Sequence, residues 1–320
     1  IALDPADSTF RAESVRLARE QQAHAELARF LSDTASRVAD SALAASLLED
    51  AAALAEEGGA IEDAAAAHLA ALEKSPDDAN ILTRLVALYA RAKRWSEADQ
   101  TLRRRILLAE GEEKVALFIQ LAGVNRELSR PRESAISYAA AILAGGDEGE
   151  LLPKVAENLE LSGRFAELSE VLARLIAVKE KAGDNDGAAT LGLKRAKLIE
   201  TSLGDKAQAI SHYAEVLAKK PTDPDATAAL ENLLLEANHR EEAARALLPA
   251  YESVKDHRKM VHALSTIADA TRDAGEKLAA LKKAGEIHAT HLRQPEHAFA
   301  AMAQAIKLVP GDAEIRTAAR

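Results

Sequence analysis

The feature that most constrains this chain is that its two ends sit at the same point of an internal repeat. Ile1-Ala2-Leu3-Asp4-Pro5-Ala6-Asp7 aligns with Ile306-Lys307-Leu308-Val309-Pro310-Gly311-Asp312, with Ile, Leu, Pro and Asp matched at a shift of 305. Other segments recur at shorter spacing. The chain therefore reads as a window onto a longer array, an expectation with which Ile in place of an initiator Met agrees. Self-similarity at a fixed period predicts a solenoid, in which each unit covers its apolar face only against its neighbours. Such a chain offers surface for binding more than a pocket for chemistry.

Composition narrows the kind of repeat. Aromatic residues make up only 3% of the chain within an apolar fraction of 48%, so Ala and Leu carry the burial. Alanine is the best helix former and lets backbones approach closely, which suits thin two-layer stacks of helices. Runs of β-branched residues with period-two alternation are missing, so strands have no support. The formal charge of −10 argues against a nucleic-acid binder, which ordinarily carries a basic excess. With no cysteine there can be no disulfide framework, thiol nucleophile or zinc-thiolate site, and the compartment stays open between cytosol and periplasm. No apolar run reaches the roughly 20 residues needed to span a bilayer, so membrane insertion is not expected.

Two landmarks define the repeat. The first is a helix followed by a break: Ala209-Ile210, Tyr213, Val216-Leu217, then Pro221 and Asp223. It recurs as Ala298-Phe299, Met302, Ala305-Ile306, then Pro310 and Asp312, and earlier as Ala64-Ala65, His68, Ala71-Leu72, then Pro76 and Asp78. A fourth copy aligns as Ala135-Ile136, Ala139, Ile142-Leu143, closed by Gly145-Gly146-Asp147. Apolar residues at i, i+1, i+4, i+7 and i+8 form one stripe of an amphipathic helix. Pro or Gly stops that helix, and the following Asp is an N-cap for the next. The second landmark opens another short helix: Glu26-Leu27 with Leu31, Glu97-Ala98 with Leu102, Glu167-Leu168 with Leu172, Glu242-Ala243 with Leu247. Glu in a first turn complements the helix dipole. Lys93-Arg94-Trp95, Gly163-Arg164-Phe165 and His239-Arg240 stand just before it as short turns.

The first landmark steps by 71, 74 and 89 residues and the second by 71, 70 and 75. Each module therefore holds two helical hairpins. The modules fall at about 6–76, 77–146, 147–221 and 222–310, with 311–320 starting another helix. The fold class expected is all-α, about sixteen helices in antiparallel hairpins with a fragment at each end.

The hairpins resemble the tetratricopeptide repeat. Leu85, Tyr89, Ala98 and Leu102 match in one unit and Leu230, Leu234, Ala243 and Leu247 in another, while the Gly204-Asp205 turn with Ala209 and Tyr213 ends in a closing Pro221. The resemblance covers nearly the whole chain and is nearest to two-hairpin arrays in large bacterial multidomain proteins, where a "Leu-Gly-Asp" hairpin alternates with a "Gly-Arg-Trp" hairpin. The family's first-helix Trp is absent, and the Gly at its eighth position is mostly lost. The resemblance implies a right-handed α-solenoid whose first helices line a concave face that takes a peptide, a helix or an extended segment.

Local motifs add no chemistry. Gly145-Gly146-Asp147-Glu148-Gly149 shares letters with a diguanylate-cyclase signature, but that chemistry needs a β-hairpin, and here the run replaces Pro at a helix junction. Asp184-Asn185-Asp186-Gly187 has part of a calcium loop. With Gly187 at the sixth position, Ala182 and Leu193 would stand where the first and twelfth ligands belong, so a polar turn is the better reading. His288 and His291 are three apart on one predicted helix, yet a metal site would need a third ligand from elsewhere, so no metal is expected. Arg103, Arg104 and Arg105 belong to the one dense basic segment, but successive helical positions lie about 100° apart and cannot share a face. No phosphate loop, nucleophile elbow or nucleophile–base spacing is present, so no enzyme activity and no cofactor are expected.

By the family's register, Asn80, Thr83, Arg91, Glu157, Asn232 and Glu236 fall on the inner face of three hairpins and are the expected partner-binding residues. The family's carboxylate clamp uses Lys, Asn and Arg; the corresponding Asn80, Thr83 and Ala87 do not form it. The expected role is a scaffold for another protein or peptide. The alternative is a regulatory or substrate-recruiting segment of a larger enzyme, such as a kinase or transcriptional regulator, or of a secretion or envelope assembly. Ile1, Leu3, Ile306, Leu308 and Ile315 would be left bare at the ends of the array, predicting end-to-end self-association. Leu85, Tyr89, Leu102, Tyr213, Leu217, Leu230 and Leu247 are the expected core.

Overall fold

The computed structural model describes residues 4–309. Among the described residues every regular element is a helix, and packing divides the chain into two units, Ile1–Ser162 and Gly163–Arg320. The boundary falls inside the 147–221 module. No helix in the described residues is long and apolar enough to cross a membrane.

The first unit contains α1 (Ser8–Glu20), α2 (His24–Arg37), α3 (Ser41–Glu57), α4 (Ile61–Lys74), α5 (Ala79–Arg91), α6 (Trp95–Leu107), α7 (Gly111–Glu127), α8 (Pro131–Leu143) and α9 (Glu148–Leu161). Each helix packs on its neighbours in sequence through short turns, so odd-numbered helices form one layer and even-numbered helices the other. The two kinds of turn follow from the sequence. Asp7, Asp40, Asp78 and Asp147 cap α1, α3, α5 and α9, each carboxylate accepting from backbone N–H groups of the first turn. The turns into α2, α4, α6 and α8 instead pass through a left-handed residue, Gln22, Gly59, Lys93 and Ser129. At the last of these the Arg130 N–H reaches back to the Asn125 carbonyl, and the Arg94 N–H likewise to that of Tyr89, the bonding of a Schellman cap. Gly146 is required by close approach: a Cβ there would meet the Leu151 side chain at 2.7 Å and the Ala141 carbonyl at 2.8 Å.

The core of this unit is built from Ala and Leu, with Leu85, Tyr89 and Leu102 buried as the pattern predicts. The alignment of α8 requires correction. Ile136 and Leu143, expected on its buried stripe, are 58% and 89% exposed, while Ser134, Ala135, Ser137, Tyr138 and Ala141 are buried. The stripe begins one residue earlier, at Ser134. Two buried hydroxyls make this tolerable, because Ser134 Oγ donates to the Ala122 carbonyl at 3.0 Å and Ser137 Oγ to that of Glu133 at 2.9 Å. Tyr138 then occupies the place that His68 holds on α4, and the landmark steps from 64 to 134 to 209.

The second unit contains α10 (Phe165–Lys181), α11 (Asn185–Leu198) continued by a π-helical turn (Ile199–Leu203), α12 (Lys206–Lys219), α13 (Pro224–Leu234), α14 (Arg240–Val254), α15 (His257–Ala270), α16 (Ala274–Thr290) and α17 (Pro295–Leu308). Tyr213, Leu217, Leu230 and Leu247 are buried as expected. The Tyr213 hydroxyl donates at 2.6 Å to Glu200 in the π-helical turn, and burial first, then this carboxylate, pushes the phenol well above its ordinary range. The 89-residue step has a structural cause. Three helices lie between α4 and α8 and three between α8 and α12, but four between α12 and α17. The short α13 is followed by α14, which packs on α12 as well as on α13, so strict two-layer alternation is broken there. On α17, Met302 and Ala305 are buried as predicted, but Phe299 is 60% exposed. Ile306 is half-buried and Leu308 exposed; Ile1, Leu3 and Ile315 lie outside the described residues.

Candidate interaction surface

The predicted binding residues of the first unit sit on odd-numbered helices. On α5 the Asp78 carboxylate accepts from the Asn80 and Ile81 N–H groups at 2.9 and 3.1 Å, fixing where the helix starts. From that start, Ile81, Leu82, Leu85, Val86, Leu88 and Tyr89 fall inside, and Asn80, Thr83, Ala87 and Arg91 form an exposed stripe. Arg91 has no ion-pair partner among the described residues. Glu157 is exposed on α9, whose opposite face buries Leu151, Leu152, Val155 and Leu159.

Thr83 is less free than its exposure suggests. Its Oγ1 donates to the Ala79 carbonyl at 2.8 Å and accepts from Arg105 Nε at 3.3 Å. Arg105 on α6 is a residue that pattern reasoning passed over. It is 6% exposed, pairs with Glu113 on α7, and leaves Nη1 buried with no partner. The repeat itself carries the signal: seven residues past Ala98, position 105 corresponds to Ala71, Ala141 and Val216, all buried and apolar. The basic run Arg103–Arg105 disperses as the helical angle requires, with Arg103 on Asp99 at 2.9 Å and Arg104 on the Pro76 carbonyl at 2.8 Å.

In the second unit Asn232 is exposed on α13, but Glu236 is not on a helix. Its placement on the inner helical face is corrected. Leu235 and Glu236 N–H groups bond three residues back, to Asn232 and Leu233, which tightens and ends α13 before that position. The Glu236 carboxylate instead holds Lys206 Nζ at 2.7 Å through both oxygens, tying this turn to the start of α12.

The remaining sequence motifs resolve into caps and packing. Asp184 caps α11, accepting from the Gly187 N–H at 2.9 Å and from Lys179 at 2.8 Å; Lys179 first and that N–H second hold its carboxyl below the usual range. Asp147 caps α9. His288 and His291 do not face one site, since His291 stacks on His257 and His288 on His297. Among the described residues no three His, Asp or Glu side chains are grouped to hold a metal ion.

Cavities lie elsewhere than the six residues. One of 460 Å³ opens between α2 and α4 over α3, walled by Ala28, Ser32, Ala35, Ala66, Ala67 and Ala70. Others of 400 and 310 Å³ lie between α10 and α12 and between α14 and α16. The last two are crossed by ion pairs, Glu180–Lys219 in one and Arg245–Glu276 (2.7 Å) with Glu252–Lys283 in the other. None of Asn80, Thr83, Arg91, Glu157, Asn232 or Glu236 lines any of these three.

No protein-family model matches the chain, and no curated protein matches it in sequence. Among solved structures it is similar to the MamA protein, at 15% identity and a TM-score of 0.34 over 55% of this chain and 91% of that one. A tetratricopeptide repeat protein from Parabacteroides merdae is similar at 12% identity and TM-score 0.29 over 86% and 97%. YrrB, described as a tetratricopeptide protein with an unusual peptide-binding site, is similar at 18% and 0.33 over 58% and 91%. At such scores the fold rests on the chain's own helices, which pack on their neighbours in sequence and are all-α among the described residues.

Proposed function

We propose that the chain is a non-catalytic scaffold whose odd-numbered helices bind a peptide, a helix or an extended segment of another protein. The observation that carries this reading is the exposed stripe of α5, where Asn80, Ala87 and Arg91 follow a regular helical spacing on the side opposite the core. Glu157 on α9 and Asn232 on α13 extend the assignment. Thr83 contributes through its tie to Arg105, and Glu236 only by holding its turn. The sequence modules 6–76, 77–146, 147–221 and 222–310 are the repeat units in this reading. A regulatory or substrate-recruiting segment of a larger enzyme would use the same surface, and the flanking gene sequence separates the two.

Selection of a phage-displayed peptide library on the intact chain tests the surface. Enriched peptides should lose about tenfold or more in affinity with Arg91→Glu, because a charge at a contact is worth on the order of 1 kcal/mol or more. Leu143→Asp, on α8, should leave them unaffected. Peptides indifferent to Arg91→Glu and Glu157→Arg but lost with Leu143→Asp would move the site to the other layer.

A further inference from the structure

The alternation of helices breaks at α13, and a cleft opens at the break. α13 has 11 residues where α5 has 13 and α9 has 14. The chain leaves the helical path at Leu235, and the turn it makes is held by the grip of the Glu236 carboxylate on Lys206. Between this turn and α15 lies a cleft of 540 Å³, within the roughly 300–1,000 Å³ of ordinary ligand sites. One wall is apolar, with Leu235 left 76% exposed. The other is a single face of α15, where His262, Ser265, Thr266 and Asp269 follow each other at i, i+3, i+4 and i+7. Arg240 joins the lining from the start of α14, and its Nε donates to the Leu234 carbonyl at 3.3 Å, which anchors the guanidinium at the end of α13.

Both charges of the cleft stand where their own helices disfavour them. Arg240 is the first residue of α14, and Asp269 lies in the last turn of α15. A helix favours anions at its start and cations at its end, so each sits at the wrong terminus. Although they line one cleft, the two form no ion pair with each other. Local stability therefore does not account for a cation and an anion placed in this way, and a breach of local preference is the pattern of a functional site.

We infer that the cleft seats a short extended segment of a partner protein, with an acidic side chain for Arg240, a basic one for Asp269 and an apolar one for Leu235. The inference rests on the peptide-binding reading above and supplies its chemistry. From His262 to Asp269 the stripe rises about 10 Å along the helix. That is the length of about three extended residues, of which a free amino acid would cover one. His262 and Ser265 offer hydrogen bonds to the backbone groups that an extended segment leaves open. Thr266 Oγ1 is already spent as a donor on the His262 carbonyl at 2.9 Å and can only accept. Opposite charges on one short segment fix its direction and disfavour segments of a single sign.

Ligand-observed NMR on the full chain with acetylated and amidated pentapeptides tests this, because the caps leave only side-chain charge. Peptides centred on Glu-Leu-Lys and on Lys-Leu-Glu cover both directions, and one centred on Gln-Leu-Gln is the neutral reference. One of the charged pair should bind about tenfold tighter than the reference, the scale of a charge-assisted contact. Arg240→Gln should abolish the advantage of Glu over Gln in that peptide, and Asp269→Asn that of Lys over Gln, each leaving the other intact. Each variant removes a charge from the helix end that disfavours it, so both should keep the helical circular dichroism of the natural chain. Charged peptides that bind no better than the reference, or a charge preference that survives in both variants, overturn the proposal. A preference that survives there but is lost with Arg91→Glu would leave the scaffold reading standing and return its site to α5.

Discussion

Replacing Arg105 by Met should leave the chain as stable or make it more stable, whereas replacing its partner Glu113 by Ala should destabilise it. The asymmetry follows from solvent access. The Arg105 side chain is 8% exposed and that of Glu113 55%. Without Arg105, Glu113 simply takes up water. The exchange gives up an ion pair that is half in solvent, worth about 1 kcal/mol or less. It also removes the buried, unpartnered Nη1, whose cost is about 1–3 kcal/mol. Met fills much of the aliphatic stem's volume, so the net change should lie between zero and roughly 2 kcal/mol of added stability. Glu113→Ala instead strands a buried guanidinium with only the 3.3 Å contact to Thr83. A fully buried pair broken this way costs about 3–5 kcal/mol; with one partner half in water, about 2 kcal/mol is expected. Urea unfolding followed by circular dichroism and by the fluorescence of Trp95, the single tryptophan, which opens α6, measures both. A loss above about 0.5 kcal/mol in Arg105→Met, or one in Glu113→Ala no greater than in Arg105→Met, would refute the reasoning.

Leu217→Ala, at a position 3% exposed, should cost about 2–5 kcal/mol in urea unfolding, and a change under half of one would mean the side chain is not packed as described. Arg245, then Thr271, pulls the Glu276 carboxyl from 4.5 down to about 2, so the link between α14 and α16 should hold above pH 4.5 and weaken as pH falls toward 2. Glu276→Gln should flatten that dependence in exchange experiments between pH 5 and 2. Phe299, 60% exposed on α17, should drive association at high concentration; Phe299→Asp should shift sedimentation toward the monomer, and an unchanged profile would remove this residue from the contact.

Much of this fold was legible because a repeat states the same packing problem several times. Leu85, Tyr89, Leu102, Tyr213, Leu217, Leu230 and Leu247 are buried as predicted, since each sits in a stripe whose period and whose stops by Pro, Gly or Asp agree. The α8 slip shows where this reasoning loses resolution. Ile136 and Leu143 look like core by hydropathy, and Ser134 and Ser137 do not. The helix nevertheless buries the serines, because their hydroxyls find carbonyls at 3.0 and 2.9 Å while Tyr138 fills the space. The Ser134 bond reaches across to Ala122 of α7, a satisfaction that leaves no trace in the local pattern.

The placement of the residues proposed to bind a partner was legible only as far as helical register reached. Asn80 and Arg91 fall on one exposed stripe because α5 runs unbroken from its Asp78 cap, so a count of residues is also a count of angles. Glu236 was lost for the complementary reason: α13 stops after 11 residues, and past its end a register carries no direction. The extra helix in that stretch was visible as an 89-residue step. Spacing alone cannot divide such an insertion between longer helices and one more helix. Here it is one more helix, and α14 packs across α13 onto α12. A repeat therefore predicts side-chain direction only between breaks in its own period: the count holds along the whole of α5 and stops where α13 ends.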